Sequence, residues 1–253
     1  MYSQGFTKVI HRVIHLCFIA IFISACQVRY SARKPEITFQ ELKNDLDNKS
    51  YREAEKMIYP YRFPIDSLMK EAVAFTNNEA TKAKPEGTLG NLIADITKII
   101  ATQLYKKEID ACFLNNGGLR IELPKGAITR SMVFELLPFD NDLVVVKFTG
   151  SQVQQILNQI AAKKGEPVSG IRMKINENVA EDITINGKPL QADSTYYIVS
   201  SDYLLNNGDN FKIPPPLERI DLNIKLRDGV FKYFEELKKQ QIILSPKLDG
   251  RIY

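Results

Sequence analysis

The sequence predicts an α+β fold, a single mixed-sheet domain with packed helices over residues 54–253. Three observations point there. Strand-like runs and helix-like runs alternate, but without the strict rhythm of a doubly wound parallel sheet. Asn186-Gly187 stands between two strand-like runs, a strong signal for a tight hairpin and so for antiparallel pairing. No internal repeat or low-complexity tract suggests a solenoid or an array.

In "YPYRFPIDSLMKEAVAF" two prolines precede an amphipathic run with Ile65, Leu68 and Met69, consistent with a helix entering a strand. "NNEATKAKPEG" is a loop by composition. In "TLGNLIADITKIIATQLYKK", Leu89, Leu92, Ile93, Ile96, Ile100 and Leu104 recur at helical spacing behind Thr88, a suitable N-cap. Residues 109–115, "IDACFLN", form a short buried strand that runs into Gly117-Gly118. "AITRSMVFELLPF" predicts a short helix ending before Pro138, and "LVVVKF" at 143–148 a strand of β-branched residues. The next helix, "TGSQVQQILNQIAAKK", lines up Val153, Ile156, Leu157 and Ile160 on one face. "GIRMKIN" and "DITINGKPL" are strands, and "TYYIVSSDYL" is another that leads into "LNNGDNF". Three prolines at 214–216 preclude regular structure there. A last helix over about 228–239 turns Val230, Phe234 and Leu237 inward.

The N-terminus differs in kind. Lys8, Arg12 and two histidines precede a charge-free apolar stretch, Leu16 to Ile23, too short to span a bilayer comfortably. It ends in Ile23-Ser24-Ala25-Cys26, which resembles a bacterial lipobox. Residues 1–25 are therefore expected to be a lipoprotein signal peptide, with Cys26 lipidated and residues 26–53 a tether. Lipid on Cys26 would hold the domain on a membrane outside the cytoplasm. Removal of the leader takes His11 and His15, the only histidines, and Cys17, leaving Cys112 beside the lipidated Cys26. A mature chain of that composition assembles no Ser-His-Asp or Cys-His site and no internal disulfide. Histidine-containing zinc sites are excluded with them, whereas a carboxylate-only site is not.

The formal net charge is +4, with 34 basic and 30 acidic residues, and loss of Lys8 and Arg12 leaves 32 basic. So small an excess, with no long basic run, gives no reason to expect nucleic acid as a partner.

Three loops carry residues suited to chemistry: Asn115–Arg120, Leu137–Asp142 and Asp202–Phe211. A glycine pair after a strand is most often a turn, a Phe after Pro most often core, and an Asp after Gly most often a turn acceptor. Together they offer two aromatic faces, a carboxylate, glycine-lined backbone and the planar guanidinium of Arg120. That set suits a flat heterocycle, a diol and an anionic tail.

"EGTLGNLIADI", "NNGGLR", "ITRSMVFELLPFDNDLVVVKFTGSQVQQIL", "YYIVSSDYLLNNGDNF" and "DGRIY" resemble, in order and interval, the C-terminal domain of the 5'-nucleotidase/UDP-sugar hydrolase family. The resemblance covers essentially the whole of 54–253. It implies a nucleotide-binding domain whose family counterpart follows a metallophosphatase domain that supplies two metal ions and the hydrolysis. Under it, Phe139 and Tyr203 sandwich the base, Asp209 accepts from the ribose hydroxyls, and Asn115 reaches the base edge. Gly118 lies against the ligand and Arg120 binds phosphate. The chain departs from the family at Ala83, where an arginine is common and where Lys82 and Lys84 flank. It departs again at Tyr203, where Phe is usual, and at Asn207, in a glycine position.

The resemblance implies no catalytic residue and no cofactor in this chain, divalent metals being expected only on a separately encoded metallophosphatase partner. The chain is then the substrate-binding subunit of a split 5'-nucleotidase, inactive alone. The alternatives are a stand-alone nucleoside- or nucleotide-binding lipoprotein and a scaffold whose loops are only turns.

Overall fold

The computed structural model describes residues 49–253, with side chains from Tyr51 onward. The segment expected to be a signal peptide, the expected lipidation site Cys26 and most of the expected tether lie outside the described residues. Contacts divide the chain between Arg52 and Glu53, and Glu53–Tyr253 forms one compact unit.

Helix α1 (Lys49–Met69) contains Pro60 and Pro64 within its span. Each proline removes one intrahelical donor. Their four-residue spacing puts both losses on one side of the helix. Its apolar residues Met57, Tyr61, Ile65 and Leu68 are exposed. A short strand β1 (Ala72–Thr76) follows and pairs antiparallel with β3 (Gly126–Thr129).

The centre is a five-stranded mixed sheet in the order β10-β4-β9-β2-β5. Its members are β2 (Ala111–Phe113), β4 (Asp142–Thr149), β5 (Val168–Ser169), β9 (Thr195–Ser201) and β10 (Glu218–Lys225). β9 and β2 are parallel, whereas β4 is antiparallel to β9 with Leu143 opposite Ser201. β4 is buried on both faces because its alternate residues enter two cores. Leu143 and Val145 join the core beneath α2 (Thr88–Tyr105) and α6 (Leu226–Lys239), with Ile93, Ile100, Val230 and Phe234. Val144, Val146 and Phe148 join the core beneath α4 (Gly150–Ala162), with Val153, Ile156, Leu157 and Ile160. The antiparallel strands β6 (Ile171–Asn176), β7 (Val179–Ile185) and β8 (Lys188–Pro189) close that second face. The α+β mixed-sheet expectation therefore holds, and the inward faces read for α2, α4 and α6 are buried except at Leu92 and Leu104.

The Asn186-Gly187 hairpin is present, with φ of 49° and 77° at the two turn residues, as a two-residue primed turn requires. Thr88 is the first helical residue of α2 rather than its cap; its hydroxyl accepts from the Thr81 N–H at 2.8 Å. α3 (Arg130–Leu136) ends before Pro138 as expected, capped by the Thr129 hydroxyl. The run read as one strand from Thr195 turns instead into a helical turn, α5 (Asp202–Leu205), because the Ser201 hydroxyl accepts from the Leu204 N–H.

Candidate functional site

Sheet polarity gathers the three loops. β2 and β9 are parallel, so the segments that leave their C-terminal ends emerge on the same edge. β4 is antiparallel to β9, so the loop that enters it arrives at that edge too. Residues 114–120, 137–141 and 202–211 thus become neighbours although they are distant in sequence. The Asp202 carboxylate joins two of them, accepting from the Asp142 N–H at 3.0 Å and from the Tyr203 N–H at 2.7 Å.

Between these loops lies a cleft of about 260 Å³ lined by Asn115, Gly117, Gly118, Arg120, Phe139, Asn141, Tyr203 and Asp209. All six binding residues expected from the sequence are among them. Leu114, Leu119, Leu137 and Leu226 line an apolar recess that shares Asn115, Gly118, Phe139 and Asn141 with the cleft. Phe139 and Tyr203 are nearly half exposed, at 47% and 44%, so neither ring is core.

Gly117-Gly118 lies in a 3-10 turn, Asn116–Gly118, and neither glycine has positive φ. Space accounts for the pair better than backbone freedom. A Cβ on Gly118 would stand 2.9 Å from Asn115 Oδ1, and one on Gly117 would stand 3.3 Å from Asp209 Oδ2. Asn115 is buried and donates from Nδ2 to Asp209 Oδ2 at 2.5 Å. The turn is held from behind by Glu166, whose carboxylate accepts the Asn116 N–H at 2.7 Å. Burial raises the Glu166 carboxyl above its usual range, against that hydrogen bond and the nearby charges of Lys84 and Lys163. Arg120 is exposed at the rim, its guanidinium donating to the Gly117 carbonyl at 3.3 Å.

Phe139 sits in a loop that Arg227 of α6 brackets. This guanidinium donates to the Leu137 and Pro138 carbonyls, both at 3.2 Å, and to Asp140 Oδ1 at 2.6 Å. It also lies over the Phe134 ring. The third loop bends back through left-handed residues Asn207, Asp209 and Asn210, with φ of 67°, 51° and 60°. Asn207 meets the left-handed geometry that its glycine-like position demands. The Tyr203 ring rests on Gly208, where a Cβ would come within 2.5 Å of the ring.

Ala83 is not part of this cleft. It lines a small separate recess with Glu86, Asn116 and Glu166. Neither flanking lysine lines the cleft. Lys82 Nζ donates to the Leu119 carbonyl at 2.8 Å, and Lys84 Nζ to the Lys163 carbonyl. Asn141 and Gly117 were missed by sequence reasoning; Asn141 follows Phe139 by two residues in the same loop, which is the signal available. No histidine occurs in residues 49–253, and among the described residues no group of three or more His, Cys, Asp or Glu converges.

The sequence model described as "5'-nucleotidase, C-terminal domain" matches residues 67–215. A cell wall protein of Listeria monocytogenes is 25% identical over 201 residues, which cover 72% of this chain and 26% of that protein. A trifunctional nucleotide phosphoesterase of Bacillus subtilis is 26% identical over 230 residues, 79% of this chain and 15% of that protein. The crystal structure of a 5'-nucleotidase precursor from Thermus thermophilus superposes with a TM-score of 0.68 at 25% identity, covering 80% of this chain and 43% of that one. The chain spans about a quarter or less of these two curated relatives.

Proposed function

Because this chain belongs to the 5'-nucleotidase C-terminal domain family, we propose that its cleft binds a nucleotide or nucleoside for a split 5'-nucleotidase-type phosphohydrolase. A separately encoded metallophosphatase performs the hydrolysis, in nucleotide catabolism. The observation that carries this reading is the convergence of Asn115, Gly118, Arg120, Phe139, Tyr203 and Asp209 on one cleft from three separated loops. Two exposed rings supply flat faces for a base, and aromatic stacking of this kind tolerates any base. Asp209 accepts from sugar hydroxyls, Asn115 faces the base edge, and Arg120 at the rim meets phosphate. The similarity to nucleotide phosphoesterases supports that ligand class. The similarity to a cell wall protein supports a place outside the cytoplasm, where lipid on Cys26 anchors the chain to a membrane.

Calorimetric titration of the purified chain with adenosine and AMP tests the binding step. Mixing the chain with the candidate metallophosphatase and AMP tests the split enzyme, since phosphate release should exceed the sum of the separate rates. Absence of any gain on mixing, with binding intact, would leave a stand-alone nucleoside-binding lipoprotein. One observation favours that second reading: with Ala83 outside the cleft and both neighbouring lysines bonded elsewhere, Arg120 is, among the described residues, the one cation that lines the cleft.

A further inference from the structure

Asp209 is fixed at every polar group it owns. Its Oδ1 accepts from the Tyr203 hydroxyl at 2.8 Å and its Oδ2 from Asn115 Nδ2 at 2.5 Å. Its N–H donates back to the Tyr203 oxygen at 3.1 Å, and its carbonyl accepts from Lys163 Nζ at 2.8 Å. Asp209 itself is left-handed, at φ 51° and ψ 30°, a conformation that aspartate adopts more readily than most residues.

Two of those four bonds belong to one phenolic hydroxyl. A phenylalanine at 203 would present the same stacking face and make neither of them. The ring is also set from below, since Gly208 leaves no room for a Cβ beneath it. Ring plane and carboxylate are therefore one locked unit. Each carboxylate oxygen has two acceptor positions, and Tyr203 and Asn115 together occupy one on each. One position per oxygen is left on a residue that lines the cleft. Two adjacent hydroxyls match that pair of acceptors, and a ligand with neither hydroxyl gains nothing from it.

We propose that the Tyr203 hydroxyl is a positioning group that holds the Asp209 carboxylate ready for a vicinal diol, so that the cleft selects ribonucleosides over dideoxyribonucleosides. The proposal rests on the nucleoside-binding reading above. It makes Tyr203 bifunctional, with its face for the base and its hydroxyl for selectivity.

The test is calorimetry on the full chain with adenosine and with 2',3'-dideoxyadenosine. Tyr203→Phe should weaken adenosine binding about tenfold, the scale of a hydrogen bond to a charged group, and dideoxyadenosine binding less than about twofold. Tyr203→Leu should weaken both. Asp209→Asn, similar in shape, should remove the preference for the diol and covers the case in which Tyr203→Phe does not fold. Equal losses for the two ligands in Tyr203→Phe, no loss, or tighter adenosine binding would overturn the proposal, as would a preserved diol preference in Asp209→Asn. If the wild type binds neither nucleoside, the nucleoside reading fails and this proposal with it. If the wild type binds both and the variant treats them alike, only the positioning role of Tyr203 fails.

Discussion

Phe139 and Tyr203 are exposed to a similar degree but held in place by different means. Tyr203 is locked by its own hydroxyl and by Gly208. Phe139 has no polar handle, and its position depends on Arg227, which bonds the carbonyls on its N-terminal side and the carboxylate after it. Truncating Phe139 to Ala should therefore cost about 1–3 kcal/mol of nucleoside affinity, measured by calorimetry. The melting temperature should move less than on truncation of a core ring, because Phe139 is nearly half exposed. Arg227→Ala is expected to weaken both. It frees two carbonyls, breaks an ion pair and removes a cation from the Phe134 face, and Arg227→Lys should not restore the loss because an ammonium lacks the planar fork. Comparing melting curves and titrations of the two variants checks this. Of these residues, Phe139, Tyr203 and Arg120 were legible in the sequence by their chemistry beside glycine and proline. Arg227 was not, since it acts from a helix 89 residues beyond Pro138 and nothing local marks it.

At the scale of elements, the turn Asn116–Gly118 depends on Glu166. Its folded-state carboxyl titrates above the unfolded value because it is buried, so the folded protein holds that proton more tightly than the unfolded chain. The associated stability is fully present below the unfolded value of about 4.5 and is lost as pH rises through the folded one. Glu166→Gln should abolish this dependence, and denaturant titrations should show the wild type losing ground to the variant between acidic and neutral pH. Equal slopes for the two proteins would contradict it. Helix α4 depends on a capping box in which the Thr149 hydroxyl accepts from the Gln152 N–H and the Gln152 side chain accepts from the Thr149 N–H. Thr149→Ala is predicted to cost about 1 kcal/mol, read from the urea midpoint. Strand β4 and helices α2, α4 and α6 were legible because periodicity is strong where burial is strong. β10 was not read, and its residues are mostly half-exposed or exposed. β3 and β5, at four and two residues, are too short to carry a period.

For the whole molecule, one central sheet serves two cores, so damage to β4 should propagate to both faces. Phe148 is fully buried, and Phe148→Ala is expected to cost about 3–5 kcal/mol. Far-ultraviolet dichroism and intrinsic tyrosine fluorescence should report a single shared transition. Two separated transitions would show that the cores unfold independently. The mixed-sheet class was legible from the irregular alternation of elements and one hairpin. The order of strands in the sheet was not, because pairing between distant segments leaves no local trace.

That strand order has a kinetic consequence. The Asn115–Asp209 hydrogen bond joins residues 94 positions apart, and the parallel contact between β2 and β9 must close a comparable loop before it can form. Non-local pairings of this kind are slow to form, since the chain loses its freedom before the contact returns anything. The cleft should therefore be among the last features to mature as the chain refolds. Capture of a fluorescent nucleoside during refolding should follow the slowest phase of recovery, which makes binding competence a clock for completion of the sheet.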